Sequence, residues 1–173
     1  MARHRCELRP LIEADLAKFE KAYSSREEAG EHQWFGHSTP GRTPAELGAI
    51  NRDGGRLTVV AGEEVVGSVF WFRRTWGPED TSWCWEIAAH VFRAERRKGY
   101  GGQSVTLLVR YLFDHTLAWR IQAVVDTDND ASQRMLRGLR FTREGLLRGA
   151  QWREGRWHDQ HLYSVLRGDL DAR

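Results

Sequence analysis

The chain has 173 residues, 40% of them hydrophobic and 29% charged, with a formal net charge of +2. That size and balance suit one folded α/β domain over residues 1–173 and argue against disorder or a basic tail. No run reaches the ~18–20 apolar residues of a membrane helix, and MARHRCELRP holds no apolar signal core, so a cytoplasmic protein without membrane contact is expected.

Lys18, Lys21 and Lys98 are the only lysines. The many arginines are scattered and nearly balanced by acids, so codon bias accounts for them and no nucleic-acid partner is expected. Cys6 and Cys84 have neither metal-ligand spacing nor a disulfide framework; reduced thiols and no metal follow.

In chain order, Glu7 to Arg9 reads as a short strand stopped by Pro10. Ile12, Leu16, Phe19 and Tyr23 recur at helical spacing. Residues 24–55 read as polar and irregular, with a short helix after Pro44; Trp34 and Phe35 inside them are a packing anchor or a substrate wall. Leu57 to Ala61, a turn at Gly62-Glu63-Glu64 and Val65 to Phe72 read as a hairpin, and Thr81 to Phe92 as a third strand. Val105, Leu108, Val109, Leu112 and Phe113 mark a helix with one apolar stripe. Ile121 to Val125 fits a buried strand. Asp128 or Asn129 caps a helix with Ser132, Met135, Leu136 and Leu139 inward. Strands at about 142–152 and 157–167 close the chain. The order β-α-α-β-β-β-α-β-α-β-β predicts a mixed sheet flanked by helices.

Between the third strand and its helix lies RRKGYGGQ: Arg96, Arg97 and Lys98, then Gly99, Tyr100, Gly101, Gly102 and Gln103. The first-turn N–H groups of a helix lack partners within it and attract anions, and glycines bring backbone close. A flexible turn would look similar. A P-loop is excluded by the missing Gly-Lys-Ser/Thr, and a dinucleotide fingerprint by Ser104 in place of its third glycine.

Arg96-x-x-Gly99-x-Gly101 resembles the Arg/Gln-x-x-Gly-x-Gly/Ala signature of the Gcn5-related N-acetyltransferases (GNAT). Glu86 to Val91 resembles that family's fourth strand, and Asn129-Asp130-Ala131-Ser132 its Asn-x-x-Ser after the fifth. The ending, Asp159 to Tyr163 followed by Val165-Leu166-Arg167, is similar to the branch containing ribosomal-protein N-terminal acetyltransferases. Two departures stand out: Arg140-Phe141 replaces the usual Gly-Phe, and Leu136 occupies the place of a tyrosine proton donor found in other branches. The resemblance implies a seven-stranded, mostly antiparallel sheet with about four helices. It also implies acetyl-CoA as cosubstrate, a small amine or a peptide or protein N-terminus as acceptor, and it allows a homodimer.

Acetyl transfer to an amine needs a proton acceptor, fixed donors for an oxyanion and a proton for the departing thiolate. Glu86 is the first candidate base, with pairing to a nearby arginine as the competing role; burial raises the pKa of an unpaired carboxylate. Strict alternation places Cys84, Glu86, Ala88 and His90 on one face, and a bulge would shift that face. His90 is a second base or relay, or packs beside the cofactor. The resemblance assigns the His90 and Val91 amides to the pantetheine arm and thioester carbonyl, and residues 97–102 to the pyrophosphate. It gives Asn129 a pantetheine contact or a helix cap, and Ser132 the thiolate proton or a core position. Asp159 and Tyr163 are structural. Trp71, Trp83 and Trp85 belong to the core, while Trp34 and Trp76 suit a pocket for an aromatic or cationic acceptor. A non-catalytic acyl-CoA sensor and a nucleic-acid-binding module are the alternatives.

Overall fold

The computed structural model describes residues 5–36 and 52–170. Among them the elements run β1 (Glu7–Arg9), α1 (Leu16–Ala22), α2 (Arg26–Ala29), β2 (Gly54–Ala61), β3 (Glu64–Thr75), β4 (Trp83–Val91), α3 (Tyr100–His115), β5 (Arg120–Asp126), α4 (Asp130–Gly138), β6 (Thr142–Arg153) and β7 (Arg156–Leu166). The strands form one seven-stranded sheet in the order β1-β2-β3-β4-β5-β7-β6. Apart from the second helix, the order of strands and helices is the one the sequence predicts. The difference lies at α2, in a stretch expected to be irregular: Ser25 Oγ accepts from the Glu28 amide at 3.3 Å, an N-cap that starts a single helical turn. The helix expected after Pro44 lies outside the described residues.

By compactness the chain divides into two units, Met1–Phe70 with Ala88–Leu108, and Trp71–Ile87 with Val109–Arg173. In the first, Leu11, Phe19, Val60 and Val65 form a buried cluster against which Leu16, Tyr23 and Phe92 pack. The helical stripe read from Ile12 to Tyr23 is therefore real, although Ile12 itself is half exposed. Asp15 anchors the start of α1. Its carboxylate takes a forked pair from Arg9 at 2.6 and 2.8 Å and the Ile12 amide at 3.1 Å.

β1 pairs antiparallel with β2. The connection from β2 to β3 is two residues long, which only antiparallel neighbours permit, and Gly62 takes φ +63° there. Further along β3, a Cβ on Gly67 would fall 2.1 Å from the His90 carbonyl oxygen. Only glycine lets β3 approach β4 this closely.

In the second unit Trp71, Leu112, Ile121, Leu136, Tyr163 and Val165 are fully buried. β4 runs parallel to β5 over two pairs, Trp85↔Ile121 and Glu86↔Gln122. β5 and β6 each pair antiparallel with β7, and the β6–β7 register shifts between Arg143 and Gly145 and between Leu147 and Gln151. Asp126 and Arg153, both buried, pair at 2.8 Å. His158 completes that polar core: its Nε2–H donates to the Arg153 carbonyl and its Nδ1 accepts from the Arg153 guanidinium.

Two outcomes follow from the first unit. Gly67→Ala must push β3 from His90, and the unfolding free energy is expected to fall by at least about 2 kcal/mol in denaturant titration; an unchanged midpoint refutes the close approach. Arg9 holds the Asp15 carboxyl below the usual carboxylate range. A carboxyl lowered on folding stabilises above its unfolded value of about 3.9, and the gain disappears as pH falls through the folded value. Asp15→Asn should flatten the acid limb of the stability–pH curve, leaving the part due to Glu144, which Arg120 also holds low.

Candidate active site

The handover from β4 to α3 is where the sequence placed a cradle. Arg97 and Gly99 both have left-handed backbone, at φ +65° and +88°, while Lys98 between them does not. Such alternation turns successive amides to one side and makes an anion-binding concavity. The first bond of the α3 ladder is Gln103 N to Gly99 O at 3.3 Å. The amides of Tyr100, Gly101 and Gly102 therefore precede any intrahelical acceptor. Gly99 is the left-handed glycine of the three, and Gly101 and Gly102 lie inside the first helical turn.

The three cations differ in their duties. Arg96 directs its guanidinium inward: Nε donates to the Val91 carbonyl at 3.1 Å, and Nη2 to the Glu28 and Ala29 carbonyls at 2.8 and 2.9 Å. Lys98 pairs with Glu95 at 2.9 Å. Arg97 is exposed. The groups this turn leaves open to an anion are backbone amides and the Arg97 charge.

His90 is 3% exposed and stacks on Tyr23 with ring centroids 4.7 Å apart. Neither ring nitrogen has a hydrogen-bond partner among the described residues. Its pKa is lowered to about 4, first by burial, then by the Arg96 charge and, further on, by Arg56; the Ala29 carbonyl opposes the shift. The ring is uncharged at neutral pH and retains a lone pair.

Glu86, 5% exposed, takes Arg74 Nε and Nη2 at 3.1 and 3.2 Å and Gln122 Nε2 at 2.7 Å. Gln122 Oε1 in turn accepts from the Cys84 thiol at 3.4 Å, a thiol whose pKa burial raises. Glu86 is thus an inward charge gripped by an arginine, the competing role left open in the sequence. Arg74 and Gln122 were not singled out, because nothing local marks a partner 12 or 36 residues away.

Asn129 caps α4, its Oδ1 accepting from the Ser132 amide at 3.1 Å. Ser132 is half-buried, whereas Gln133 and Leu136 are the buried residues of α4. Asp159 is exposed and accepts from the Gly149 amide at 2.7 Å. Tyr163 is buried and donates to Gln133 at 3.3 Å. Trp71 and Trp85 are core residues, Trp83 is half-buried, and Trp76 is exposed.

Tyr23, whose ring stacks on His90, is also one wall of a cavity of about 300 Å³ lined by Trp34, Phe35 and Phe70, with Gln33 and Arg56 among its polar residues. Arg56 lies 4.4 Å over the Phe19 ring and donates Nη2 to Ser68 Oγ at 3.1 Å. Trp34 and Phe35 thus line a cavity. Arg56 carried no sequence signal.

Residues 5–142 match the family model for the acetyltransferase (GNAT) domain, and the chain belongs to that family. The uncharacterized N-acetyltransferase YoaA of Bacillus subtilis (strain 168) is 34% identical over 82 residues, 47% of this chain and 46% of that protein. The aligned part thus spans about half the length of that relative. Mycobacterium smegmatis RimJ in complex with CoA-disulfide superposes with TM-score 0.77 at 20% identity, over 95% of this chain and 83% of RimJ. RimL, the ribosomal L7/L12 alpha-N-protein acetyltransferase, in complex with coenzyme A gives 0.71 at 18% identity, over 94% of each chain.

A histidine depressed by burial should titrate near pH 4 by nuclear magnetic resonance, against about 6.5 for an unperturbed ring. Because the unfolded ring takes its proton first, stability should drop as pH falls from about 6.5 towards 4. A His90 midpoint above 6 refutes the buried, cation-flanked environment.

Proposed function

We propose that the chain transfers an acetyl group from acetyl-CoA to a primary amine, the amine of a small molecule or the α-amine of a protein N-terminus. The observation that carries this reading is the run of partnerless amides at the start of α3, preceded by left-handed backbone at Arg97 and Gly99. These amides suit a pyrophosphate held without a metal. The amides of His90 and Val91 would meet the pantetheine arm and polarise the thioester carbonyl. Asn129, with Oδ1 committed to its cap, keeps its amide N–H groups for the pantetheine. The cavity beside Tyr23 receives the acceptor, since Tyr23 belongs to its wall and stacks on the His90 ring.

In the transfer the amine nitrogen attacks the thioester carbonyl carbon, a C–N bond forms, the C–S bond breaks and the thiolate leaves. The amine sheds one proton and the thiolate gains one. His90 keeps an imidazole lone pair and stacks on Tyr23, a wall residue of the cavity. Ser132 has a hydroxyl with no partner among the described residues and is the donor assigned to the thiolate. Glu86, held by Arg74 and Gln122, acts on charge and position rather than as a free carboxylate.

The engagement of Glu86 also favours a second reading, an acyl-CoA-binding protein without turnover. Thiol release from acetyl-CoA over a panel of amines and peptides separates the two: turnover with any amine supports transfer, and acetyl-CoA binding without turnover supports the sensor. On either reading Gly99→Val, which strains a φ of +88°, should weaken acetyl-CoA binding by about tenfold or more. An unchanged dissociation constant overturns the cradle.

A further inference from the structure

We infer that the acceptor is an amine bearing a carboxylate on an aromatic or flat apolar body, of amino-acid size, and that Arg56 binds the carboxylate; this rests on the cavity beside Tyr23 being the acceptor site. Arg56 rises from β2 into the cavity wall. Of its five N–H donors, one is seen to be used, at Ser68. Its Nε is buried without a hydrogen-bond partner, and no carboxylate pairs with the guanidinium among the described residues. Arg56 is half-buried, a setting in which a cation is stabilised by an acidic partner, and a buried donor left unpaired costs about 1–3 kcal/mol. A ligand carboxylate in the cavity would supply the missing counter-charge to the guanidinium that lines it.

The rest of the cavity specifies the body of that ligand. Tyr23, Trp34, Phe35 and Phe70 present aromatic surface on several sides, suited to a ring or a flat apolar chain. A volume of about 300 Å³ sits at the small end of ligand pockets. Aromatic faces alone would also attract a cation, as the tryptophans suggested in the sequence. Arg56 reverses that preference, because a polyamine would bring like charge into a poorly screened cavity.

The test separates carboxylate binding from turnover. Without acetyl-CoA, calorimetric titration of the wild-type protein with 3-phenylpropionate and with 3-phenylpropionamide should show the acid binding at least about tenfold tighter, the worth of one charge-assisted hydrogen bond. Arg56→Gln should reduce that ratio to near one, and Arg56→Lys should retain part of it. Both variants are checked for folding by their acetyl-CoA affinity. Equal binding of acid and amide to the wild type, or binding of neither, overturns the inference without reference to any variant. In the acetylation assay, phenylalanine should exceed phenylalanine amide in kcat/KM by a similar factor. Acetylation without that preference sinks the carboxylate site while transfer stands. Tight acid binding with no acetylation of any amine sinks transfer while the carboxylate site stands. A preference for peptides with acidic N-termini over free amino acids overturns the small-molecule assignment.

Discussion

One guanidinium holds together the backbone on which the candidate site depends. Arg96 reaches from the turn after β4 to the Val91 carbonyl and to the Glu28 and Ala29 carbonyls that end α2. Helix-terminal carbonyls have no acceptor role inside a helix, and a charged donor satisfies them more strongly than a neutral one. The cost is burial, which lowers the Arg96 pKa. Gly30 makes room for the contact, since a Cβ there would come 3.0 Å from Arg96 Nη1. The cradle begins at the next residue, Arg97, and the wall residues Gln33 to Phe35 follow α2 directly. A single side chain thus sets the position of both.

The strands and long helices were legible because their signals are repetitive. The stripe of α3, the apolar run of β5 and the hairpin around Gly62 each rest on several residues that agree. α2 was missed because a four-residue helix has no stripe, and its one signal, Ser25 followed three places on by Glu28, lies among polar neighbours. The cradle was legible as a place but not in its parts. Its left-handed positions are Gly99 and Arg97, and no propensity selects an arginine for that conformation. The charge of Arg96 pointed to phosphate in the sequence, yet its guanidinium is engaged by carbonyls 67 and 68 residues away. Contacts at such separations leave no mark in local sequence.

Buried polar groups differ in what satisfies them. In the second unit, Asp126 with Arg153 and Glu86 with Arg74 and Gln122 are charges that meet their partners. Such networks position strands and need nothing from outside. In the first, His90 has two unpartnered nitrogens and Arg56 an unpartnered Nε. Trp71 Nε1, Arg73 Nε, Arg153 Nε and His161 Nδ1 are also orphaned, and of all these residues it is Arg56 that lines the cavity beside Tyr23. Orphaned atoms signify a ligand only where there is space to receive one.

The depressed His90 bears on how an amine loses its proton. A ring with a pKa of about 4 is a weak base, and pulling a proton from an ammonium of pKa about 7.7–10.4 costs it several pH units. The causes that depress His90 are burial and the Arg96 charge, and they belong to the place rather than to the imidazole. Burial acts the same way on any ammonium taken into an apolar cavity, lowering its pKa and favouring the free amine. A lone pair on so weak a base suits orienting an N–H better than removing a proton from an ammonium.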